Sequence, residues 1–197
     1  MNPTIAIKEA RTERNVHPLI RQRFSPRAFT AEPISEEELL TLMEAAHWAP
    51  SSMNEQPWRF RYALRGDAAF AALRDTLSGG NQPWAPNAAA IMAISGMKHH
   101  ARNGSPNATW AFDTGMAVGN LLAQATSMGI YGHILGGFDH AQATSRLGLV
   151  ETEEELICLL VLGRLGDAGT LSEPYITRER TPRTRKPLSE VAARLNT

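Results

Sequence analysis

Arginine and serine alternate in Arg23-Phe24-Ser25-Pro26-Arg27-Ala28-Phe29. Guanidinium groups make forked hydrogen bonds to phosphate oxygens, and a hydroxyl between them can hold an adjoining polyol, so the spacing suits a phosphorylated sugar chain. The same residues also read as a solvated basic turn with Phe24 and Phe29 in the core. A second tract, Ala49-Pro50-Ser51-Ser52-Met53-Asn54-Glu55-Gln56-Pro57-Trp58, sets hydroxyls and amides between prolines. Its donors and acceptors could meet a heterocycle edge, although such residues are equally at home in an ordinary turn. A third, Arg183-Thr184-Arg185-Lys186-Pro187, could neutralise a phosphate dianion, the alternative being a solvated tail or an RNA contact. No tract decides the matter alone.

The remaining reactive side chains offer less. His99 and His100 are adjacent, so their rings point apart, and neither has a cysteine or carboxylate at ligand spacing; no metal is expected. His133 could touch a bound ring, whereas His17 and His47 read as structural or exposed. Cys158 cannot form an internal disulfide, and its apolar neighbours predict an inert buried thiol.

The elements that must position these tracts are legible from periodicity. His17 to Arg23 predicts a short helix with proline in its first turn, which Ser25-Pro26 ends. Ser35-Glu36-Glu37-Glu38 fits a capping box, followed by an apolar face at Leu39, Met43 and Ala46 and a stop near Trp48-Ala49-Pro50. Trp58 to Leu64 alternates like a strand, Asp67 to Leu77 looks helical, and Ala88 to Ser95 reads as a buried strand. From Asp113 to Met128 the small residues Gly115, Ala117, Gly119, Ala123 and Ala125 predict a helix buried nearly all round, with Gly129 as its cap. A short strand should lead into Gly136-Gly137, Asp139 should cap a helix ending near Gly148, and Leu156 to Leu162 reads as another buried strand. A last short helix is expected at Ser189 to Leu195. Helices and strands in this order predict an α+β protein, without the glycine fingerprint of a dinucleotide-binding βαβ unit.

The chain has 197 residues, 43% of them hydrophobic, and its Lys plus Arg total of 20 equals its Asp plus Glu total. It is expected to form a single domain over 1–197, with 1–16 as a flexible or peripheral N-terminal segment. Zero formal charge argues against general nucleic-acid binding, and no apolar run suits a membrane span or a secretory signal, so a cytoplasmic protein is expected.

Taken together, the tracts resemble the nitroreductase family of FMN-dependent oxidoreductases, from about Ile20 to the C-terminus. The family's Arg-x-Ser-x-(Arg or Lys)-x-Phe pattern appears as Arg23, Ser25, Arg27 and Phe29. Its Pro-Ser-Ser-x-Asn-x-Gln-Pro-Trp pattern appears in full as Pro50, Ser51, Ser52, Asn54, Gln56, Pro57 and Trp58. Asp113-Thr114-Gly115, Gly136-Gly137-Phe138, Leu162-Gly163 and the pair Arg183 and Arg185 complete the resemblance. Where many members carry a second basic residue this chain has Phe24, and the segment from Lys98 to Trp110 matches no family signature.

The resemblance implies a central, mainly antiparallel sheet flanked by helices in an intertwined homodimer, with FMN at the interface. It implies that Arg23, Phe24, Ser25 and Arg27, with Arg183 and Arg185, hold the phosphate and ribityl end. Pro50, Ser51, Ser52 and Asn54 would come from the other subunit, Asn81 would contact the flavin, and the backbone around Ile134, Leu135, Gly136 and Gly137 would lie along its ring. Trp84, Trp110 and Phe112 are candidates for an apolar wall against flat acceptors, and equally for plain core or dimer contacts. The flavin would carry the chemistry with no acid, base or nucleophile from the protein, giving ping-pong transfer from NADH or NADPH to a nitroaromatic or quinone. Other chemistries of the family (dehydrogenation, reductive dehalogenation, flavin breakdown) are alternatives, as are a non-enzymatic nucleotide- or RNA-binding dimer and a pure assembly module.

Overall fold

A computed structural model describes residues 2–195. Its helices are α1 (Pro3–Lys8), α2 (Pro18–Gln22), α3 (Glu36–His47), α4 (Ala68–Arg74), α5 (Trp110–Ser127), α6 (His140–Leu147) and α7 (Tyr175–Arg180). The strands are β1 (Trp58–Leu64), β2 (Ala90–Met97), β3 (Ile130–Leu135) and β4 (Glu154–Arg164), hydrogen-bonded in the order β1-β2-β4-β3 with every pair antiparallel. This is the expected α+β fold around an antiparallel sheet.

The central strands β2 and β4 are buried on both faces, which is why their sequences run apolar without alternation. Met92 and Ile94 of β2 and Leu160 and Leu162 of β4 pack under α3 and α5, while Ile91, Ala93, Leu159 and Val161 face α4, α6 and Trp84. Opposite Ile94 and Ser95 the register shifts, pairing them with Cys158 and Leu156 and leaving Ile157 as the extra residue. Such a bulge re-aims the chain and leaves Ile157 38% exposed at the surface.

Local signals explain the helix ends. Ser35 and Glu38 form the reciprocal capping box of α3. The Asp139 carboxylate accepts from the Gln142 amide at the start of α6, and Gly148 ends that helix in the left-handed region at φ 64°. Cys158 is buried, and burial pushes its thiol up to about 11, as its apolar setting predicted.

Two expectations are corrected. The long helix begins at Trp110 and is buried on one face only: Ala111, Phe112, Gly115, Gly119 and Asn120 are exposed, because sheet and α3 cover a single side. Leu188–Glu190 is one 3-10 turn and residues 191–195 form no helix; Asn196 and Thr197 lie outside the described residues. The sequence reading did not anticipate α7, a short helix that buries Tyr175 and Glu179. At the N-terminus, α1 packs on α7 and buried Lys8 donates to the carbonyls of Arg178 and Thr181 at 2.6 and 2.7 Å. Met1 is outside the described residues.

Candidate functional site

The loop after α2 carries the first arginine tract, and side chains from distant elements fix its backbone. Arg183 donates from Nη1 to the Arg23 carbonyl at 2.6 Å, from Nε to the Lys8 carbonyl at 2.5 Å, and from Nη2 to the Arg21 carbonyl. The Nδ1 of His133, on β3, lies 2.8 Å from the Pro26 carbonyl oxygen. Glu179, fully buried on α7, accepts from the Arg27 amide and from the Ala28 amide at 3.4 Å. The loop is therefore held at its entry, middle and exit.

What it presents is positive charge. Burial, and then the neighbouring Arg185, pushes the Arg23 guanidinium below its ordinary value. Burial pushes Arg183 the same way, followed by Arg23 and Arg185. Among the described residues, no carboxylate lies within salt-bridge distance of Arg23, Arg27, Arg183 or Arg185. Glu179 acts on Arg27 and Glu9 on Arg183 only from beyond ion-pair distance, so the clustered, partly desolvated guanidiniums keep donors and charge that an anion can take up.

The loop adjoins β3 through stacked rings. Arg27 lies over the Trp84 indole, 5.6 Å from its centroid, and Trp84 packs on the His133 ring at 4.6 Å. Burial lowers His133 to about 4, with Arg27 pushing the same way, so at neutral pH the ring is uncharged and Nδ1–H donates to Pro26. Beyond His133, β3 runs out through exposed Ile134 to Gly136 and Gly137. The Asn81 Nδ2 donates to the Gly137 carbonyl at 2.8 Å, and a Cβ at Gly137 would sit 2.6 Å from the Ser78 hydroxyl. A Cβ at Gly136 would meet nothing within 4 Å, so that backbone is open to approach.

The second tract gathers at the start of α5. The Ser52 amide donates to Asp113 Oδ2 at 3.1 Å, and Phe112, 70% exposed, stands beside that carboxylate in sequence. The Trp110 ring lies against β2, where a Cβ at Gly96 would fall 2.6 Å from it. Ile134 shares an apolar hollow of about 220 Å³ with Ala111, Thr114, Gly115 and Cys158. Among the described residues no hydrogen bond joins residues 50–54 to the arginine loop.

One site assignment needs correction, and two others are confined to the backbone. The Phe24 ring is 2% exposed and packs on Tyr131, so this position offers a ligand only its backbone. Leu135 is likewise 2% exposed, its side chain turned into the core as the strand period requires, which leaves its backbone for the contact the resemblance implies. Trp84 is 1% exposed and donates its indole N–H to the Gly80 carbonyl at 3.0 Å; it floors Arg27 and cannot wall an acceptor pocket. Sequence reasoning also missed Lys8 and Glu179. Each sits alone in a short helix with no motif around it, and only the contact between the chain's ends joins them. His99 and His100 do meet carboxylates, Glu153 at 3.5 Å and Glu55 at 3.4 Å. The described residues contain no metal-binding cluster.

The loop after α2 and the C-terminal tail thus bring Arg23, Arg183 and Arg185 together in an α+β fold built around an antiparallel sheet. The Nitroreductase family model matches residues 20–75 and 63–164, and the chain belongs to that family. A solved oxidoreductase containing FMN is 35% identical, with TM-score 0.87 and 93% of each chain covered. A nitroreductase-like structure from Desulfovibrio desulfuricans, in complex with FMN, is 25% identical with TM-score 0.71, covering 94% of this chain and 99% of that one. A nitrobenzene nitroreductase of Ectopseudomonas oleovorans is 46% identical over 50 residues, a stretch spanning 25% of this chain and 22% of that protein. A protein of Archaeoglobus fulgidus described as an NADH dehydrogenase or NAD(P)H nitroreductase is 28% identical over 129 residues, covering 66% of this chain and 71% of its own length. No helix among the described residues is long and apolar enough to cross a membrane.

Proposed function

We propose that this chain binds FMN and passes electrons from NADH or NADPH to a flat acceptor such as a quinone or nitroaromatic. The observation that carries the reading is the cluster of Arg23, Arg183 and Arg185, with no carboxylate within salt-bridge distance among the described residues, together with the open backbone at Gly136. A phosphate supplies the missing negative charge, and the open glycine leaves room for a planar ring beside the backbone. When bound, FMN supplies hydride acceptance and electron release.

The chain's own residues bind and orient. Arg23, Ser25 and Arg185 take the phosphate and ribityl end, with Arg183 contributing charge while its hydrogen bonds brace the loop. Arg27, held over Trp84 and tethered through its amide to Glu179, directs a positive charge along the face lined by β3. Asn81 and the Gly136-Gly137 backbone meet the ring edge, and Ile134 supplies an apolar contact.

The loop from Pro50 to Asn54 completes the site from a second copy of the chain. In support, it makes no hydrogen bond to the arginine loop among the described residues, and the exposed Ala111, Gly115 and Gly119 face of α5 lies beside the hollow at Ile134. Covering that small-residue face with a second copy buries apolar surface and permits close helix approach. Phe112, exposed at the head of α5, then forms one wall against the acceptor, with Trp110 backing it.

The test is an absorbance spectrum of the purified protein, then anaerobic addition of NADPH or NADH, with molar mass by light scattering. Flavin bands that bleach with either nucleotide in a dimer are expected. A colourless protein that takes up no added FMN would overturn the reading, and a monomer that retains FMN would overturn the shared site. Because a single pocket serves donor and acceptor in turn, initial-rate plots should be parallel; intersecting lines would count against ping-pong transfer.

A further inference from the structure

The loop that precedes β1 is strained. Met53, Asn54 and Gln56 have φ of 53°, 57° and 49°, and they are the only non-glycine residues in the left-handed region among the described residues. L side chains rarely adopt this conformation, and it persists only where the surroundings over-determine it. Glu55, between them, has an ordinary φ of −71°. Local bonds account for part of the restraint: the Gln56 amide donates to Ser51 Oγ at 3.0 Å and the Ser52 amide to Asp113 Oδ2 at 3.1 Å.

The rest comes through Glu55. Its side chain is only 8% exposed, and its Oε2 accepts from the Ala101 amide at 3.0 Å. Oε1 lies 3.4 Å from His100 Nδ1 and 3.5 Å from Arg102 Nε. His100 Nδ1 is buried with no hydrogen-bond partner among the described residues, and it faces this carboxylate at ion-pair distance. The turn that supplies these groups is itself closed: the His100 amide donates to Ser105, Gly104 to His100 and Asn107 to Lys98 at 2.8 Å each, and His99 bridges Pro106. A preformed turn thus grips one carboxylate at the centre of a strained loop. An exposed ion pair would contribute little, but this anion is shielded from water and hydrogen-bonded to a backbone amide, which is where such contacts fix geometry.

We propose that Glu55 is a positioning residue: anchored to the turn at His100, Ala101 and Arg102, it holds Ser51, Ser52 and Asn54 in the arrangement that meets the flavin. This gives a role to the segment from Lys98 to Trp110 that no family signature explains, and it rests on the flavin reading above.

The test compares the wild type with Glu55→Ala, Glu55→Gln and His100→Ala by FMN titration and by amide hydrogen exchange of the apoprotein. Loss of the anchoring bond should raise the FMN Kd about tenfold in Glu55→Ala and speed exchange at Asn54 and Gln56 by a similar factor. Glu55→Gln keeps an acceptor for the Ala101 amide and should stay within about threefold of the wild type. His100→Ala loosens the grip without touching the loop, and combined with Glu55→Ala it should add nothing, since both act through one contact. Equal damage from Glu55→Gln and Glu55→Ala, or a wild-type Kd in Glu55→Ala, would overturn the proposal. Failure of the wild type to bind FMN would count against the flavin reading alone; the apoprotein exchange would still decide the anchor, with unchanged rates in Glu55→Ala overturning it.

Discussion

Arg183 Nη1 donates to the carbonyl oxygen of Arg23 at 2.6 Å, tying the C-terminal tail to the entry of the loop that carries the first arginine tract. With further bonds to Lys8 and Arg21, one guanidinium spans the N-terminal helix and the loop. Arg183 is thus a brace as well as a charge, whereas Arg185 hydrogen-bonds only the adjacent Thr184 carbonyl among the described residues.

The two tail arginines should therefore separate. Arg183→Ala strips three carbonyls of their partner and should destabilise the apoprotein by about 2 kcal/mol, with FMN affinity falling as well. Lysine cannot copy the planar fork, so Arg183→Lys should recover little of that stability. Arg185→Ala should weaken FMN while leaving the apoprotein melting temperature where it was. Thermal unfolding and FMN titration of the three variants make the comparison.

Glu179 should be more costly to remove than its lack of any motif suggests. Its carboxylate accepts from the amides of Arg27 and Ala28 and offsets the positive charge of Lys8, which burial pushes down and Glu179 pushes up. Glu179→Ala leaves two amides and a buried ammonium uncompensated, and about 3 kcal/mol of stability should be lost. Glu179→Gln retains an acceptor for the amides and should lose less. Urea unfolding of both variants is the check.

His133 should impose a pH dependence on stability. Its folded value of about 4 lies below the ordinary 6.5, because burial disfavours the imidazolium. Between those values the unfolded chain takes up a proton that the folded chain refuses. Stability should therefore fall by roughly 3 kcal/mol as pH drops from about 6.5 to about 4, in proportion to the shift. Glu154, held below its usual range by its hydrogen bond to Arg61, adds a loss in the same direction at the acid end. Urea unfolding across this range should show the slope between pH 6.5 and 5 flattened in His133→Gln, since glutamine does not titrate.

Neighbouring glycines should respond differently. Gly137→Ala places a methyl 2.6 Å from the Ser78 hydroxyl and 3.0 Å from Asn81 Nδ2, so about 1 kcal/mol or more of stability should be lost with the Asn81 contact. Gly136→Ala meets nothing within 4 Å and should leave the apoprotein within about 0.5 kcal/mol of the wild type. If the flavin lies along this backbone, the same methyl should nevertheless weaken FMN binding. Thermal unfolding and FMN titration separate the two effects.

Much of the fold is legible in local sequence because its signals act over a few residues. The capping box at Ser35, the alternation from Trp58 to Leu64 and the cap and stop at Asp139 and Gly148 each bound an element where expected. The N-terminal helix and α7 were not legible: each has six residues, too short for a periodic face, and they stand through packing on each other.

By itself the sequence determined the strands, most helix ends, the buried Cys158 and the family, because periodicity, caps and the Pro50 to Trp58 pattern are written in consecutive residues. Only the tertiary structure decided what each charged side chain does. Arg183 spends its donors on backbone carbonyls, Trp84 lies beneath Arg27, and Lys8 comes within the electrostatic reach of Glu179 from the opposite end of the chain. Burial and hydrogen-bond partners arise from contacts between residues far apart in the chain, and residue type alone does not specify which of a guanidinium's donors remain for a ligand.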